Sequence, residues 1–439
     1  MPRGKLSAGR VAFRPSSYSG IRSATLPQRE SGVARGANKM AIWLIVVGMF
    51  MPTIQVYLGA AKFTPARIAI ALLLIPALAR LLRKGRQVMA SDVFACATSA
   101  WMLGASAAVD GTLHPSAIAQ VLEFLGAYTV ARAYVFGRPA QQAFIQAFKV
   151  VTITLIVLAT FDTVSGRVIV HDTFATLFSM PPLDPQYREG LVRAASTFDS
   201  PILFGAFCTI AAAILLYSER GPIGRIIYGG LCFFGCVLAL SSAPLLSFVL
   251  VVSLFLYDTI MKKYAWRWKV FIAAVIGLVL TIFALANRPI SWIVAHLTLD
   301  PSTGYFRIAT WDHALENIWL SPLVGYAFNE YGDAQELFDR ASVDSVWLVF
   351  ALRFGVPMVF FLLLTNVAVV LRSKTKAGNR TRDQYMDNMR MAFTLVIITF
   401  VFTGLTVHFW NAVWAFWGLS IGICASLKEY HSRVRAYSP

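Results

Sequence analysis

The sequence predicts an all-α integral membrane protein, a polytopic bundle of about twelve membrane-spanning helices. The first observation is composition, because 57% of the 439 residues are hydrophobic and 14% are charged, whereas soluble domains carry about 25% charged residues. The second is that apolar runs of about 20 residues, long enough to cross a bilayer as a helix, recur along the chain. The third is that these runs are continuous rather than alternating, which predicts helices instead of a barrel.

Short polar segments separate most of the predicted spans. The spans are 41–61, 66–82, 92–109, 115–136, 143–163, 201–218, 223–240, 243–260, 269–286, 342–371, 387–408 and 410–427. On one side of the membrane two connecting segments are long, about 164–200 and 287–341. Because loops held by a rigid scaffold carry function, we expect the chemistry of this protein at these two segments.

The net charge of +17 is distributed unevenly between the two sides of the predicted bundle. The side with the long segments keeps only Lys62, Arg67, Arg167, Arg188, Arg193, Arg288, Arg307 and Arg340. Lys and Arg accumulate in cytoplasmic connections, which predicts that both termini are cytoplasmic and that the long segments are extracytoplasmic. This clustering indicates contact with anionic lipid headgroups rather than with nucleic acid.

The chain divides into three parts. Residues 1–40 hold eight Lys or Arg and the single acid Glu30, which predicts a basic, disordered cytoplasmic tail. The same composition fits an organellar import sequence, and translation from Met40 is a third interpretation. We expect residues 41–427 to form the transmembrane domain and residues 428–439 to form a second basic cytoplasmic tail.

The second long segment contains a predicted helix. From Gly304 to Trp319, apolar residues recur at helical spacing, which favours an amphipathic helix on the membrane surface. Pro322 and Gly325 then predict its end. Arg307 is the one cation of this helix, and it lies among acidic residues. It forms either a surface ion pair or a ligand contact.

Two charged residues accompany the next span. Asp344 lies at its outer mouth and precedes eight uncharged residues. A carboxylate in that partly desolvated position suits a general base, although a helix N-terminal role is the alternative. Arg353 follows about 13 Å deeper along the helix. Charges at that depth face a partner. We predict an ion pair with Glu123, with direct contact to a substrate phosphate as the alternative.

The first long segment ends with the sequence Arg193-Ala-Ala-Ser-Thr-Phe-Asp-Ser-Pro-Ile-Leu-Phe-Gly205. An Arg retained on the outer side requires an anion, and a guanidinium is suited to bidentate phosphate contact. Snorkelling of Arg193 to lipid phosphate is the alternative. We expect Asp199 to pair with Arg193 or to cap the following helix.

The sequence contains no nucleophile elbow, phosphate-binding loop or metal motif. Its histidines have no ligand spacing: they are His114, His171, His296, His313, His408 and His431. We therefore predict no metal and no cofactor.

Three stretches resemble the O-antigen ligase and polymerase superfamily, bacterial membrane proteins that act on polyprenyl-diphosphate-linked glycans. These stretches are Arg193 to Gly205, then Leu240-Ser-Ser-Ala-Pro244, and then Gly304-Tyr-Phe-Arg-Ile-Ala-Thr-Trp311 through Ser321-Pro-Leu-Val-Gly325, followed by Asp344 and Gly355. The resemblance also covers the order of the spans, with the large outer loop late in the chain.

The resemblance implies an undecaprenyl-diphosphate-linked oligosaccharide bound at the periplasmic face of the inner membrane. Arg193 and Arg307 would hold the diphosphate, and a residue at the start of the span after the large loop would activate the acceptor hydroxyl. Family ligases typically have His at that point, whereas this chain has Asp344. The difference favours a polysaccharide polymerase and leaves His313 and His408 as alternative bases.

The remaining predicted substrate contacts are Arg353, Tyr305, Trp311 and His313. Their aromatic rings would stack on sugar faces, and anchoring in the core or at the membrane interface is the alternative. The alternatives to a polymerase are an O-antigen ligase and a lipid-linked oligosaccharide flippase. A flippase would carry charges along many spans, whereas the charges deep inside the predicted spans of this chain are almost confined to Glu123 and Arg353. Membrane lipids, a flippase and a chain-length regulator are the expected partners.

Overall fold

The structure of the protein is a computed structural model that describes residues 32–52, 56–58, 61–83, 86–178, 182–285, 301–329, 343–371 and 383–436. Its first helices are α1 (Gly32–Phe50), α2 (Pro65–Leu81), α3 (Ala90–Asp110), α4 (Pro115–Val121), α5 (Ala127–Tyr134), α6 (Arg138–Ser165), α7 (Ile169–Phe178) and α8 (Pro201–Ser218). The later helices are α9 (Pro222–Leu238), α10 (Ser242–Ile260), α11 (Arg267–Leu285), α12 (Pro301–Leu320), α13 (Val346–Phe354), α14 (Val356–Val370), α15 (Gln384–Thr403) and α16 (Asn411–Ala436).

Short elements complete the described fold. A π-helical turn, Leu122–Gly126, joins α4 to α5, and a 3₁₀ turn, Met261–Lys263, follows α10. Two antiparallel hairpins pair β1 (Val56–Leu58) with β2 (Ala61–Phe63) and β3 (Tyr187–Arg188) with β4 (Leu191–Val192).

Within the described ranges, six helices are long and apolar enough to cross a membrane. They are α3, α6, α8, α10 with its 3₁₀ extension, α11 and α15. The segment Asn38–Phe50 of α1 and the helices α9 and α14 are shorter and also apolar. The fold is therefore all-α with helices of membrane-spanning length, as the composition predicts.

Helices occupy each predicted span, two of them in spans 115–136 and 342–371, and several boundaries differ. Helix α1 begins inside the predicted disordered tail and ends at Phe50, because Pro52 disfavours helical backbone before it; the β1–β2 hairpin replaces the end of span 41–61. Span 342–371 is broken at Gly355, whose φ is +78°. Helix α15 ends at Thr403, so the connection before α16 is longer than predicted.

Aromatic rings join four helices at the centre of the bundle. Phe50 of α1 contacts Phe207 of α8 at 4.7 Å and Phe416 of α16 at 5.1 Å between ring centroids. Phe148 of α6 contacts the same two rings at 5.7 and 5.6 Å. Such pairs contribute about 0.5–1.5 kcal/mol each beyond their buried area. Helix α8 is almost wholly buried, whereas α11 is exposed along its length.

Glycines allow α16 to approach the π-helical turn and α5 closely. A Cβ at Gly418 would lie 2.3 Å from the carbonyl oxygen of Phe124, and one at Gly422 would lie 2.4 Å from that of Tyr128. Both glycines therefore face the same neighbour, one turn apart, as small residues do where membrane helices pack closely.

The buried carboxylate of Glu123 lies in the π-helical turn and pairs with Arg67 of α2. Arg67 Nε donates to Glu123 Oε1 at 2.8 Å, and the Glu123 side chain is 1% exposed. The predicted pair between Glu123 and Arg353 is therefore wrong. The partner comes from a helix whose contact with α4 and α5 could not be read from sequence spacing.

Candidate functional site

Residues 193–200, here called the motif loop, fill the open ends of two helices. Thr197 Oγ1 donates to the carbonyl of Phe50, the last residue of α1, at 2.8 Å. The backbone N–H of Ala194 donates to the carbonyl of Leu238, the last residue of α9, at 3.0 Å. Carbonyls in the last turn of a helix lack an intrahelical partner, so these bonds satisfy both helix ends and hold the loop.

A buried carboxylate at the end of α6 anchors the middle of the motif loop. Asp162 is 0% exposed, and its Oδ2 accepts the backbone N–H of Ser196 at 2.8 Å. Its Oδ1 accepts the N–H of Ile169, the first residue of α7, at 3.0 Å. The Ser196 hydroxyl donates to Leu155 O at 2.8 Å. One side chain thus positions both the motif loop and α7.

Two further contacts hold the C-terminal half of the loop. His171 Nε2 lies 2.8 Å from Phe198 O, and because a carbonyl only accepts, this nitrogen carries the proton. Burial lowers the pKa of His171, which favours the neutral ring. Asp199 Oδ2 accepts from Asn411 Nδ2, at the start of α16, at 2.6 Å.

The cap of α8 corrects one prediction. Ser200 Oγ accepts the N–H of Ile202 at 3.3 Å and caps the helix. Asp199 therefore neither caps α8 nor pairs with Arg193, because its carboxylate is directed to Asn411.

Arg193 contacts the turn between α9 and α10. Its Nε donates to Ala239 O at 3.2 Å, and its terminal nitrogen donates to Gln186 Oε1 at 2.8 Å. Arg188 donates to the next carbonyl, Leu240 O, at 3.0 Å. Burial, and then the neighbouring Arg188 charge, lower the pKa of the Arg193 guanidinium. Two stretches that carry the family resemblance thus meet here.

Residues 321–329, here called the docking turn, close the break between α13 and α14. Three backbone bonds of 2.8 Å join them: Tyr326 N to Leu352 O, Ala327 N to Arg353 O, and Val356 N to Pro322 O. The indole of Trp101 donates to Phe354 O at 2.9 Å. A broken helix at membrane depth is tolerated only where its backbone groups regain partners, and these bonds supply them.

The two glycines of this joint admit no side chain. A Cβ at Gly355 would lie 2.0 Å from Leu323 O, and a Cβ at Gly325 would lie 2.3 Å from Leu352 O. Both residues have positive φ, +78° and +65°. The Ser321-Pro-Leu-Val-Gly325 stretch and Gly355 are therefore two halves of one backbone joint.

Asp344 is half-buried and directly precedes Ser345, the N-cap residue of α13. Ser345 Oγ donates to Gly404 O at 3.1 Å, and the N–H of Val346 contacts Gly404 O and Val407 O at 3.1 and 3.2 Å. The segment 404–410 therefore holds the backbone beside Asp344. Asn411 follows this segment directly and contacts Asp199 of the motif loop. Segment 404–410 and the start of α16 therefore connect the backbone beside Asp344 to the motif loop.

Arg353 is half-buried at the end of α13. Its guanidinium lies 5.2 Å from the ring centroid of Phe328 in the docking turn. Its positive charge also disfavours protonation of the neighbouring His408 ring. The His408 ring packs against Phe350 at 6.1 Å and Trp410 at 5.4 Å. Arg353 thus contacts the docking turn and lies near the connection between α15 and α16.

The predicted helix of the second long segment is present as α12. Ala314 and Ile318 are buried against α13, and Trp311 packs on the same cluster. Leu315 and Trp319, two further apolar residues of the predicted helix, are exposed. Helix α12 therefore presents apolar surface on two sides.

The other predicted residues of α12 differ in how far they are described. His313 lies one helical turn from Asn317, with 3.1 Å between His313 Nε2 and Asn317 Nδ2. Tyr305 and Arg307 belong to the first turns of α12, where the side chains fall outside the described residues. Their predicted contacts stay predictions.

The structure adds residues that sequence reasoning missed. Asp162 and Asn411 hold the motif loop, and Arg188 shares the turn with Arg193. An available signal for Asp162 was its position as a lone carboxylate at the end of an apolar run. Across the described ranges, no group of three or more His, Cys, Asp or Glu side chains is arranged to hold a metal ion.

The architecture defines the class as an all-α protein with helices of membrane-spanning length. No protein-family model matches the chain, and no curated protein matches it. Its function is therefore inferred from the residues described above.

Proposed function

We propose that the chain is a polysaccharide polymerase of the bacterial inner membrane. It transfers a growing glycan from undecaprenyl diphosphate to the next lipid-linked repeat unit at the periplasmic face. The observation that carries the proposal is the motif loop, which is bonded to α1, α6, α9 and α16 and holds Arg193 beside the turn 239–241. Neither Arg193 nor Arg188 pairs with a carboxylate of the described residues.

The proposed topology has about twelve crossings. It counts α4, the π-helical turn and α5 as one crossing and α13 with α14 as another, and it leaves α7 and α12 outside the bilayer. The motif loop, the docking turn and segment 404–410 then fall on one side. Both termini fall on the other side, in agreement with the excess of Lys and Arg there.

The proposed chemistry uses three side chains. The acceptor hydroxyl attacks the anomeric carbon of the lipid-linked glycan, its proton passes to the Asp344 carboxylate, and a new glycosidic bond forms. The bond from the anomeric carbon to the diphosphate oxygen breaks, and undecaprenyl diphosphate leaves. Arg193 and Arg307 stabilise the negative charge that develops on the leaving group.

A ligase with the same chemistry is the second candidate. Family ligases carry an imidazole near the start of the span after the large loop, and His408 packs on the α13 side chain Phe350. His408 would then take the acceptor proton in place of Asp344. The acceptor would be a saccharide other than the next repeat unit.

The test is a gene deletion followed by analysis of the lipid-linked glycans that accumulate. Single repeat units on lipid support a polymerase. Full-length polymer on lipid supports a ligase, and precursor that stays on the cytoplasmic face supports a flippase.

Complementation with variants tests the residues. We expect Arg193→Ala, Arg307→Ala and Asp344→Ala each to abolish polymer while the protein still accumulates in the membrane. Arg307→Lys is expected to fail as well, because an ammonium cannot make bidentate contact. Arg167→Ala, an exposed Arg of the same outer segment, is the control and should retain polymer. Normal chain length in all three variants would refute the assignment.

A further inference from the structure

The β3–β4 hairpin has a two-residue turn. Glu189 and Gly190 both have positive φ, +51° and +76°, which is the type I′ geometry that matches the twist of paired strands. In the strands, Arg188 lies opposite Leu191. This tight turn determines the register of every side chain that the hairpin presents.

The register places two arginines on one face of the hairpin. Beyond the paired strands, the N–H of Arg193 donates to Gln186 O at 2.8 Å, so these two residues are also opposite. Side chains two apart on a strand share a face, and Arg188 and Arg193 therefore share one. Val192, on the other face, is buried against the protein.

These arginines, here called the hairpin pair, are held side by side by consecutive carbonyls. Arg193 contacts Ala239 O and Arg188 contacts Leu240 O. Both side chains are half-buried. The two neighbouring positive charges repel each other, and no carboxylate of the described residues pairs with either guanidinium.

Most donors of the hairpin pair have no protein acceptor in the described part of the chain. A guanidinium carries five N–H donors. Arg188 uses one of them, for Leu240 O, and Arg193 uses two, for Ala239 O and Gln186 Oε1. Four donors of Arg188 and three of Arg193 therefore remain for a ligand with several anionic oxygens.

We propose that the hairpin pair is a binding site for a diphosphate monoester, with Arg188 as a binding residue beside Arg193. Two adjacent guanidiniums match two linked phosphates, because each guanidinium can donate two parallel hydrogen bonds to the oxygens of one phosphate. The inference rests on the proposed function for the identity of the lipid. It needs no contribution from Arg307, since both cations come from one hairpin.

Direct binding to the purified full-length protein tests the site. The protein is placed in phosphatidylcholine nanodiscs and titrated with farnesyl diphosphate, farnesyl monophosphate or inorganic pyrophosphate. We expect farnesyl diphosphate to bind at least tenfold more tightly than the monophosphate. Arg188→Gln and Arg193→Gln should each weaken its binding at least tenfold, and Arg188→Lys should weaken it less. Arg167→Gln, with the same loss of charge, should bind as the wild type does.

Two outcomes overturn the site. In the first, Arg188→Gln lowers the melting temperature but keeps the wild-type affinity, which makes the guanidinium only a support for turn 239–241. In the second, phosphatidylglycerol in the nanodisc displaces farnesyl diphosphate at equimolar amounts, and the site then recognises a lipid headgroup phosphate.

Polymer assays separate this inference from the proposed function. If Arg188→Gln loses binding but the deletion strain accumulates no single repeat units, the diphosphate site stands and the polymerase assignment fails. If Arg193→Ala abolishes polymer while Arg188→Gln binds and polymerises normally, the assignment stands and the role of Arg188 fails.

Discussion

Two groups of arginines, at opposite ends of α16, differ in what neutralises them. One is here called the Glu429 cluster and comprises Arg86, Asp92, Arg132, Glu429 and Arg433. The other is the hairpin pair beside the motif loop. Asn411 contacts the motif loop at the start of α16, and Glu429 lies about 27 Å further along the helix, nearly the thickness of a bilayer core.

In the Glu429 cluster each arginine pairs with a carboxylate of the protein, and we call such a cluster closed. Glu429 is 0% exposed and accepts from Arg132 at 2.7 Å and from Arg86 at 2.9 Å, while Arg433 also contacts it. Arg132 is shared with Asp92 at 2.9 Å. The positive charges therefore have acidic partners within the protein, and the cluster joins α3, α5 and α16.

We call the hairpin pair open, because its acceptors within the described chain are uncharged carbonyl and amide oxygens and no carboxylate neutralises it. A buried charge is expensive unless it is paired. Arginines with acidic partners are explained by the fold alone. Arginines that donate only to neutral groups indicate a ligand that supplies the missing negative charge.

The largest effect on stability is expected when the Glu429 cluster loses its central carboxylate. Glu429→Gln leaves three arginines around a neutral side chain and should reduce the free energy of unfolding by about 3–5 kcal/mol. Chemical denaturation of the protein in detergent measures it. The matched control is Asp383→Asn, because the ion pair with Arg138 is exposed and Asn retains the helix cap.

The control should change the free energy of unfolding by less than about 1 kcal/mol. Equal stability of Glu429→Gln and wild type would show that the closed cluster is not structural. It would then remove the basis for contrasting it with the hairpin pair.

The second largest effect is expected when the motif loop beside the hairpin pair loses the carboxylate that anchors it. Asp162→Asn replaces an acceptor of two backbone N–H groups by an amide that accepts with one oxygen, and should cost about 1–3 kcal/mol. It should also reduce polymer, because the motif loop carries Arg193. Asp172→Asn on α7 is the control and should stay within about 0.5 kcal/mol. Full polymer with lowered stability would indicate that the loop tolerates displacement.

The third change gives the hairpin pair an acidic partner of the kind that the arginines of the Glu429 cluster have. Leu191 is exposed and lies opposite Arg188, so Leu191→Glu introduces the carboxylate that the hairpin pair lacks. We expect it to raise stability by about 0.2–1 kcal/mol and to weaken farnesyl diphosphate binding about tenfold, or about 1.4 kcal/mol.

The matched control for this change is Tyr187→Glu. Tyr187 is also exposed, but it lies on the other face of the hairpin. Equal losses of binding from both substitutions would point to general charge repulsion rather than to a specific site.

The smallest effect concerns pH and involves the motif loop only. Burial lowers the pKa of His171 in the folded protein, although Asp199 and Asp172 face it and oppose that shift. The unfolded chain therefore takes up the proton first, and stability falls as pH drops below about 6.5. His171→Gln, whose amide can still donate to Phe198 O, should remove this part of the pH dependence of unfolding. An unchanged profile would show that the ring is not held neutral.

Sequence-based prediction of the helices was most accurate where the local pattern of apolar residues alone determines the helix and its ends. The span 201–218 matches α8 to the residue, because a continuous apolar run bounded by Pro201 and Glu219 has one interpretation. The Gly304–Trp319 helix was also correct, since helical spacing of apolar residues is a local signal. The sequence did not predict which of its residues pack on α13, because that depends on a tertiary contact.

The charged partners were the least predictable part. Glu429 and Arg86 are separated by 343 residues, and Glu123 finds Arg67 rather than Arg353. The hairpin pair depends on a two-residue turn inside a long polar segment, which hydropathy does not detect. For Tyr305 and Arg307 the described residues add nothing to the sequence-based expectation.

The sequence by itself determined an all-α chain, the positions of its apolar helices and an unequal distribution of cations. These properties follow from composition and period, which local windows contain. Only the tertiary structure decided which cations meet an acid, which meet a carbonyl, and that the docking turn repairs the break at Gly355. Those pairings depend on distances between residues that are remote in the chain, and packing alone brings them together.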